Sequence, residues 1–350
     1  MFYSASMDVK GLANLKDKMR RIVSFSLPIL KARFLKRKIP LFVGWELTNR
    51  CNLKCRYCGV AHAVRGGELD TQRILLMVDG LKLLGTRFIS FTGGEPLLRP
   101  DIGLIIDYCR QKNVFTSLNS NGILVKQKIS EIKNVNCVCL SLDGAEEIHD
   151  SIRGAGVFKA VIEAARIIQR TNIPLKFFVT LTGINVNQID FLINIAMEYN
   201  AVLVFQPSVQ NKLYSNEVNE ICLSRAENEM VFRQLICRKR RLRKMVIANS
   251  YMNLAHLSHW PHPRYIRCAS GHITGRIKSN GDFAPCNRYA LQTAAGASLS
   301  PMDLKRKYLA LQNISCEECW CANRVELNLL FALQLEPIIN SIRYLASNKK

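Results

Sequence analysis

Apolar runs and amphipathic segments alternate along the chain between residues 41 and 207. The runs rich in apolar or β-branched residues predict strands over Leu41–Leu47, Arg87–Thr92, Val114–Asn119, Val135–Leu142, Leu175–Leu181 and Ala201–Phe205. The segments between them predict helices over Thr71–Leu84, Ile102–Lys112, Val125–Ile132, Phe158–Thr171 and Gln188–Tyr199. Strands separated by crossover helices predict a parallel sheet. We expect an α/β fold in which this sheet curls into a partial (β/α)6 TIM-like barrel, with the active site at the carboxyl ends of the strands.

Polar residues and glycines predict where several of these helices begin and end. Asp70 and Gly85 suit the start and the stop of the first helix after the first strand. Asp101 is expected to cap the next helix, and Asn187 the last one before residue 200, because short polar side chains accept hydrogen bonds from the first turn.

The chain divides into five predicted regions. These are a basic amphipathic segment (1–40), the partial barrel (41–207), a basic helical linker (208–263), a small cysteine-rich hairpin and helix extension (264–325) and a C-terminal apolar helix (326–350). In the first region, apolar residues recur at helical spacing between Lys and Arg. Such a helix either docks on anionic lipid headgroups or packs on the domain with a solvated basic face. Both interpretations stay open at this stage.

Composition narrows the class of protein. The chain has 350 residues, of which 48% are hydrophobic and 22% charged, as in an ordinary globular protein, but its formal net charge is +22. Such a charge favours anionic partners: nucleic acid, phosphorylated substrates, acidic peptides or an anionic membrane surface. Nucleic acid is not expected, because the basic run 238–244 lacks interleaved aromatic residues.

Cysteine usage and hydropathy suggest a cellular location. Thirteen cysteines, an odd number, argue against a disulfide framework and suit a reducing cytoplasm. No apolar run reaches the length of a spanning helix, and Ile22–Leu30 lacks the features of a signal peptide. We therefore expect a cytoplasmic protein, with contact to an anionic membrane as a further hypothesis.

Three cysteines follow the first predicted strand, at Cys51, Cys55 and Cys58. Thiolates are the soft ligands that iron–sulfur clusters and zinc prefer. A loop this short points three sulfurs at one metal centre and leaves one metal position open for a substrate or cofactor. The alternative is a zinc knuckle with His62 as the fourth ligand.

Polar motifs lie at the ends of the next three strands. Gly93-Gly94-Glu95-Pro96 combines a close backbone approach with a carboxylate that can pair with an ammonium group. The side chains of Asn119 and Ser141 suit a ribose, and Arg153 suits a carboxylate. At successive strand ends of one barrel, these groups predict a site for a zwitterionic nucleoside.

This ordered set of motifs, over about residues 41–207, resembles the signature of the radical S-adenosylmethionine (SAM) enzymes. The residues that carry the resemblance are the Cys51-x3-Cys55-x2-Cys58 loop with Tyr57, the Gly93–Pro96 segment, Asn121-Gly122, Ser141-Leu-Asp-Gly144, His149-Asp150 and Arg153-Gly154. The resemblance favours a [4Fe–4S] cluster over zinc. It implies that SAM occupies the open iron and is split reductively to a 5′-deoxyadenosyl radical, which abstracts hydrogen from an unreactive C–H bond.

The resemblance also implies roles for individual residues. Cys51, Cys55 and Cys58 would hold the cluster. The segment Gly93, Gly94 and Glu95 would hold the methionine ammonium, and Arg153 would lie near the methionine carboxylate. Tyr57 would lie near the adenine through its backbone, and Asn119, Ser141 and Asp143 would lie near the ribose.

A second group of cysteines lies near the C-terminus. Cys268 and Cys286 bracket a predicted β-hairpin with an Asn280-Gly281 turn, and Cys316, Cys319 and Cys321 follow. Four thiolates there admit zinc or a second [4Fe–4S] cluster. Their order resembles the SPASM/Twitch extension, which binds auxiliary clusters. The resemblance implies one auxiliary cluster on Cys268, Cys286, Cys316 and Cys319, with Cys321 as the alternative to Cys319.

These observations predict a radical SAM oxidoreductase or modifying enzyme whose auxiliary cluster accepts an electron. Its substrate is expected to be anionic, either phosphorylated, lipid-linked or sugar-like, and its reductant a protein such as flavodoxin or ferredoxin. The alternatives are a maturase that modifies a peptide or protein, an RNA-modifying enzyme, and a non-catalytic iron–sulfur or zinc module.

Overall fold

The alternation of strands and helices predicted from the sequence is present in a computed structural model, which describes residues 9–60, 67–213, 215–261, 266–286, 300–311 and 319–347. The strands are β1 (Phe42–Thr48), β2 (Phe88–Gly93), β3 (Phe115–Ser120), β4 (Cys137–Ser141), β5 (Leu175–Leu181), β6 (Val202–Pro207), β7 (Thr274–Ile277) and β8 (Phe283–Ala284). The helices are α1 (Val9–Phe34), α2 (Thr71–Leu83), α3 (Ile102–Gln111), α4 (Val125–Lys128), α5 (Glu146–Arg153), α6 (Val157–Gln169), α7 (Ile189–Glu198), α8 (Arg225–Arg241), α9 (Tyr251–Leu257), α10 (Pro301–Ala310), α11 (Ala322–Phe331) and α12 (Leu335–Ser347).

The sheet contains the six predicted strands as neighbours in chain order. The spatial order is β6-β5-β4-β3-β2-β1-β7-β8, and every pair from β1 to β6 is parallel. This arrangement confirms the predicted fold class of a partial barrel, because strands that are neighbours in chain order and joined by right-handed crossovers carry their helices on one face, as in a (β/α) barrel.

The predicted hairpin near the C-terminus is also present. Strand β8 pairs antiparallel with β7, and Gly281 in the turn between them has φ of +88°. The sequence did not indicate that β7 would continue the barrel sheet by pairing parallel with β1, with Phe42 opposite Thr274. The C-terminal extension is therefore hydrogen-bonded to the strand that precedes the cysteine loop.

The main core lies between the sheet and its helices. Alternate residues of each strand are buried on the helix-facing side, as shown by Val138 and Leu140 in β4 and by Phe177 and Val179 in β5. At the centre, the rings of Trp45 and Phe91 lie 6.4 Å apart. The opposite side of the sheet is left for polar groups near the strand ends.

The helix ends test the capping predictions. Asp70 caps α2 as expected, because its carboxylate accepts a hydrogen bond of 2.8 Å from the Arg73 amide. The prediction for Asp101 is wrong: its carboxylate binds the Arg99 guanidinium at 2.7 and 2.8 Å instead of capping α3. The prediction for Asn187 is also wrong, because this residue lies inside a 3₁₀ turn and α7 begins at Ile189 without a side-chain cap.

Two differences concern helices that the sequence pattern did not resolve. The motif region after β4 contains a short helix, α5, which ends at Gly154 with φ of +122°. The apolar stretch assigned to one C-terminal helix is two helices, α11 and α12, of which α11 begins at Ala322. Among the described helices, none combines the length and the apolar character that crossing a bilayer requires.

Candidate active site

The loop after β1 carries Cys51, Cys55 and Cys58 at the carboxyl edge of the barrel. Its first residues are held by Glu68, whose carboxylate accepts hydrogen bonds from Thr48 Oγ1 at 2.6 Å and from the Asn49 amide at 2.9 Å. Further along, the Arg56 amide donates to the Ile152 carbonyl at 3.0 Å, and Cys58 forms a bridge with Leu213. The loop is therefore anchored at both ends before any ligand binds.

The Gly93-Gly94 segment after β2 packs backbone to backbone against the cysteine loop. The Gly94 amide donates to the Thr48 carbonyl at 2.9 Å, and the Glu95 amide donates to the Arg50 carbonyl at 2.8 Å. A Cβ at Gly93 would clash with the Thr48 carbonyl, and a Cβ at Gly94 with the Arg50 carbonyl. Gly93 also has φ of +121°, so both positions require glycine.

The three thiols lie close enough to influence one another. Burial raises the pKa of Cys55 to about 11, with additional repulsion from Cys58 and Cys51 and an opposing effect of Arg153. Burial also raises the pKa of Cys51. Thiols such as Cys51 and Cys55, whose pKa is raised by burial, lose their protons when a metal binds. The positive charge of Arg153 then compensates part of the negative charge of the thiolates.

The donor set, three cysteines on one loop, consists of soft ligands of the kind that hold an iron–sulfur cluster. Within the described residues, no three His, Cys, Asp or Glu side chains are gathered as ligands of a single metal ion. His62, the fourth ligand of the zinc alternative, lies outside the described residues.

Glu95 has a different set of partners from the one expected. Its side chain is only 1% exposed, and its two oxygens accept hydrogen bonds from the Leu97 amide at 3.1 Å and the Asn121 amide at 2.8 Å. Burial raises the pKa of Glu95 to about 7, while these hydrogen bonds favour the charged form. The carboxylate thus links the loops after β2 and β3. A contact with a ligand ammonium therefore stays a prediction, and it concerns the backbone of Gly93, Gly94 and Glu95.

Asn119 and Ser141 lie half-buried near the carboxyl ends of β3 and β4, and their contact with a ribose stays a prediction. The Asn119 amide nitrogen donates to Ser90 Oγ at 2.9 Å and to the Phe91 carbonyl at 2.8 Å. These bonds fix the orientation of the Asn119 side chain. Ser141 lies opposite Phe178 in the sheet.

A buried polar cluster connects Asp143, Arg153 and Tyr57. Arg153 Nε donates to Asp143 Oδ2 at 2.7 Å, and its terminal nitrogens contact the Tyr57 hydroxyl and, at 3.9 Å, the Cys55 sulfur. Tyr57 Oη also donates to Asp143 Oδ2 at 3.2 Å, and Asp143 Oδ1 accepts from the Thr180 amide at 3.0 Å. Asp143 is fully buried and accepts hydrogen bonds from protein donors, an arrangement that orients Arg153; its contact with a ribose stays a prediction.

Several residues around this cluster were assigned no role from the sequence. His149 Nδ1 accepts from the Asp143 amide at 3.1 Å, and burial lowers the pKa of His149 to about 4, so the ring is neutral. Asn185 donates to the Asp143 carbonyl at 2.9 Å and to the Thr180 carbonyl at 3.0 Å. Asp150 accepts from two amides at the start of α6. The His149-Asp150 motif was visible in the sequence, whereas nothing local indicated Asn185.

The C-terminal cysteines are partly brought together by Asn328. Its amide nitrogen lies 3.6 Å from the Cys319 sulfur, and its oxygen accepts a hydrogen bond of 2.8 Å from the amide of Ala269, the neighbour of Cys268. Cys286 follows β8, and Cys321 immediately precedes α11. Cys316 lies outside the described residues. All cysteines in the described ranges are thiols and not disulfides.

Residues 45–195 match the family model of the radical SAM superfamily. Over these residues the chain is similar to radical SAM enzymes, whose cofactors are a [4Fe–4S] cluster and SAM. The cysteine loop, the glycine segment and the Asp143–Arg153 cluster all lie within the matched residues, so the family match and the geometry concern the same site.

The chain is similar to two kinds of curated relative. It is 28% identical over 254 residues to "Mycofactocin maturase MftC" of Mycobacterium ulcerans (strain Agy99), covering 71% of this chain and 68% of the relative. It is 32% identical over 170 residues to "AdoMet-dependent heme synthase" of Methanosarcina barkeri (strain Fusaro / DSM 804), covering 47% of this chain and 49% of the relative. The second match thus spans about half of each protein.

A solved structure has the same fold over most of the chain. Streptococcus suis SuiB bound to S-adenosylmethionine superposes with a TM-score of 0.60 over 96% of this chain and 74% of SuiB, at 15% identity. At this identity the superposition supports the fold alone.

The contact between the two loops leads to a first prediction. Gly94→Ala should displace the Arg50 carbonyl, destabilise the protein by about 1–3 kcal/mol and lower the iron that Cys51 and its partners retain after anaerobic reconstitution. Gly67→Ala is the matched control, because a Cβ at Gly67 meets nothing within 4 Å. Iron content and thermal denaturation of both variants provide the measurement. Equal iron in the two variants would contradict the proposed role of Gly94.

Proposed function

We propose that the protein is a radical SAM enzyme that cleaves SAM reductively and abstracts hydrogen from an unactivated C–H bond of an anionic substrate. The observation that carries this proposal is the cysteine loop, held against a glycine segment that tolerates no side chain, inside the matched radical SAM domain. When bound, the cluster and SAM supply the electron and the radical that this chemistry needs. The protein positions these groups and excludes water from them.

Cys51, Cys55 and Cys58 are the proposed ligands of the cluster. The backbone of Gly93 and Gly94 is the proposed contact for the methionine part of SAM, and glycine allows a ligand to approach the backbone closely. Asn119 and Ser141 are the proposed ribose contacts. The Tyr57 backbone remains the proposed adenine contact, since the Tyr57 hydroxyl is bound to Asp143.

Arg153 is the proposed partner of the methionine carboxylate. Its Nε is bound to Asp143, and Tyr57 lies beneath the guanidinium, 5.5 Å from ring centroid to Cζ. A guanidinium fixed on one edge still has nitrogens that can face an anion. Asp143 is a positioning residue in this proposal, because it acts through Arg153 and does not touch SAM.

An auxiliary [4Fe–4S] cluster on Cys268, Cys286, Cys316 and Cys319 is the second part of the proposal. The contact of Asn328 with Cys319 and with the amide beside Cys268 supports convergence of these segments. In this position the cluster would accept the electron that the substrate loses after hydrogen abstraction.

An anionic substrate is supported by the charge around the mouth of the barrel. Arg50, Lys54 and Arg56 of the cysteine loop are exposed, and the chain carries a formal net charge of +22. The same rim suits an acidic electron donor such as flavodoxin or ferredoxin. Assays with dithionite as the reductant contain no electron-donor protein. They therefore separate the effect of these charges on substrate binding from their effect on binding of the donor.

Peptide modification is the alternative that the relatives favour. The M. ulcerans relative is named a mycofactocin maturase, and its match covers 71% of this chain. The two classes of substrate differ in one simple assay: production of 5′-deoxyadenosine should rise with small phosphorylated compounds in the first case and with a precursor peptide in the second.

The central prediction concerns SAM cleavage. Anaerobically reconstituted protein with dithionite should convert SAM to 5′-deoxyadenosine and methionine, detected by chromatography and mass spectrometry. Replacing Cys51, Cys55 and Cys58 with Ala should abolish this product, because the cluster loses its ligands. Cys237→Ala should leave it unchanged, since Cys237 is exposed on α8, within the basic linker. Zinc instead of iron in the purified protein, or product from the triple variant, would overturn the proposal.

A second prediction tests Arg153. Arg153→Lys keeps the charge but cannot bind both Asp143 and Tyr57, so SAM affinity should fall about tenfold or more. Arg238→Lys is the matched control, because Arg238 binds Asp190 through the same pair of nitrogens at 2.6 and 2.7 Å on the surface. Equilibrium binding of SAM to the reconstituted variants, with melting temperatures, gives the comparison. Unchanged affinity in Arg153→Lys would remove Arg153 from the SAM site.

A third prediction separates the two clusters. Native protein should bind about eight irons per chain, and Cys286→Ala or Cys319→Ala about four, while 5′-deoxyadenosine still forms without substrate. Cys321→Ala should retain about eight if Cys319 is the ligand. About eight irons in Cys319→Ala and about four in Cys321→Ala would identify Cys321 as the ligand in place of Cys319. About four irons in the native protein would exclude the auxiliary cluster.

A further inference from the structure

One side of α1 has a row of apolar side chains that the fold does not cover. Val23, Leu27, Leu30 and Phe34 are spaced four, three and four residues apart, so they share one side of the helix, and they are between 40% and 64% exposed. The opposite side of α1 is already used, because Ile29 and Ala32 are buried there. The exposed row is therefore not needed to attach the helix to the protein.

A second exposed row lies on a neighbouring helix. Leu335, Ile339 and Ile342 of α12 are spaced four and three residues apart and are between 43% and 75% exposed. Helices α1 and α12 contact each other. We call these seven side chains of α1 and α12 the two-helix apolar surface. Exposed apolar rows on helices that contact each other differ from singly scattered exposed residues, which are normal on a protein surface, and they mark a site of association.

The charge beside this surface indicates what covers it. Lys31 is exposed next to the α1 row, and Lys36 and Arg37 are exposed just beyond the end of the helix. Residues 1–40 carry ten Lys or Arg and two Asp. An apolar helix face flanked by basic residues binds in the headgroup region of anionic membranes, where it gains both apolar burial and electrostatic attraction. We infer that the two-helix apolar surface docks the protein peripherally on an anionic lipid membrane.

Docking through this surface would determine which way the active site faces. The buried side of α1 contacts the amino-terminal end of the barrel: the Phe25 ring stacks on Phe42 of β1 at 5.4 Å and lies 5.9 Å from Phe115 of β3. The cysteine loop lies at the other end of the same strands. On a membrane, the mouth of the barrel would point toward the aqueous phase, and the substrate would enter from there. This inference is independent of the proposed chemistry, because SAM cleavage does not require a membrane.

Vesicle flotation of the 350-residue chain tests the inference. The protein should float with vesicles of phosphatidylcholine and phosphatidylglycerol and much less with phosphatidylcholine alone. The double variant Leu27→Gln and Phe34→Gln should bind these vesicles at least about tenfold more weakly, because it removes two apolar side chains that would enter the membrane. The matched control is Leu76→Gln with Leu104→Gln, two exposed apolar residues on the barrel helices α2 and α3, and it should bind like the native protein.

Charge is tested separately. The triple variant Lys31→Gln, Lys36→Gln and Arg37→Gln should lose about fivefold in affinity per residue. The control triple Arg73→Gln, Lys126→Gln and Lys159→Gln removes three exposed basic residues in the first turns of the barrel helices α2, α4 and α6 and should bind normally. Melting temperatures confirm that each variant is folded.

Two results would overturn the inference. One is equal flotation of the native protein and the Leu27, Phe34 variant on anionic vesicles. The other is a stable dimer in light scattering that the same variant dissociates, which would mean that a second copy of the chain covers the surface. Neither result would affect 5′-deoxyadenosine formation in solution, so the inference and the proposed function fail separately.

Discussion

The site depends on direct backbone contact between the loops that follow β1 and β2. Two hydrogen bonds, from Gly94 to Thr48 and from Glu95 to Arg50, hold these loops together where no Cβ would fit. The Glu95 carboxylate then accepts the Asn121 amide, so the loop after β3 is fixed to the same unit. These hydrogen bonds fix three strand ends relative to one another. They thereby also fix the positions of the cysteines in the loop after β1.

The second element of the site is a charge cluster with little freedom to move. Asp143 is fully buried and accepts hydrogen bonds from Arg153, Tyr57 and Thr180, while Asn185 holds the backbone around it. A buried ion pair is tolerated only when its remaining polar atoms have partners, and here they do. The result is a guanidinium held at a fixed place beside Cys55, where a metal centre with several thiolates would need a positive neighbour.

The sequence predicted the parts of the molecule that depend on local pattern. The six barrel strands, the Asp70 cap and the Asn280-Gly281 turn follow from hydrophobic period and turn chemistry. The proximity of the motifs follows from topology, because the carboxyl ends of parallel strands share one edge. Asp101 failed as a cap because the guanidinium of Arg99, two residues earlier, and the hydroxyl of Thr71 bind its carboxylate. The roles of Glu68 and Asn185 depend on tertiary contacts that no local pattern contains.

The pairing of β7 with β1 has a consequence for how the chain can be divided. Arg276 of β7 donates to Glu46 of β1 at 2.7 Å, and the Glu46 side chain is only 2% exposed. A fragment that stopped after β6 would remove the cation that pairs with this carboxylate and would leave the edge of the sheet beside the first strand unpaired. The β7–β8 hairpin is thus part of the barrel sheet. Truncation before this hairpin would favour aggregation and would not yield a minimal catalytic core.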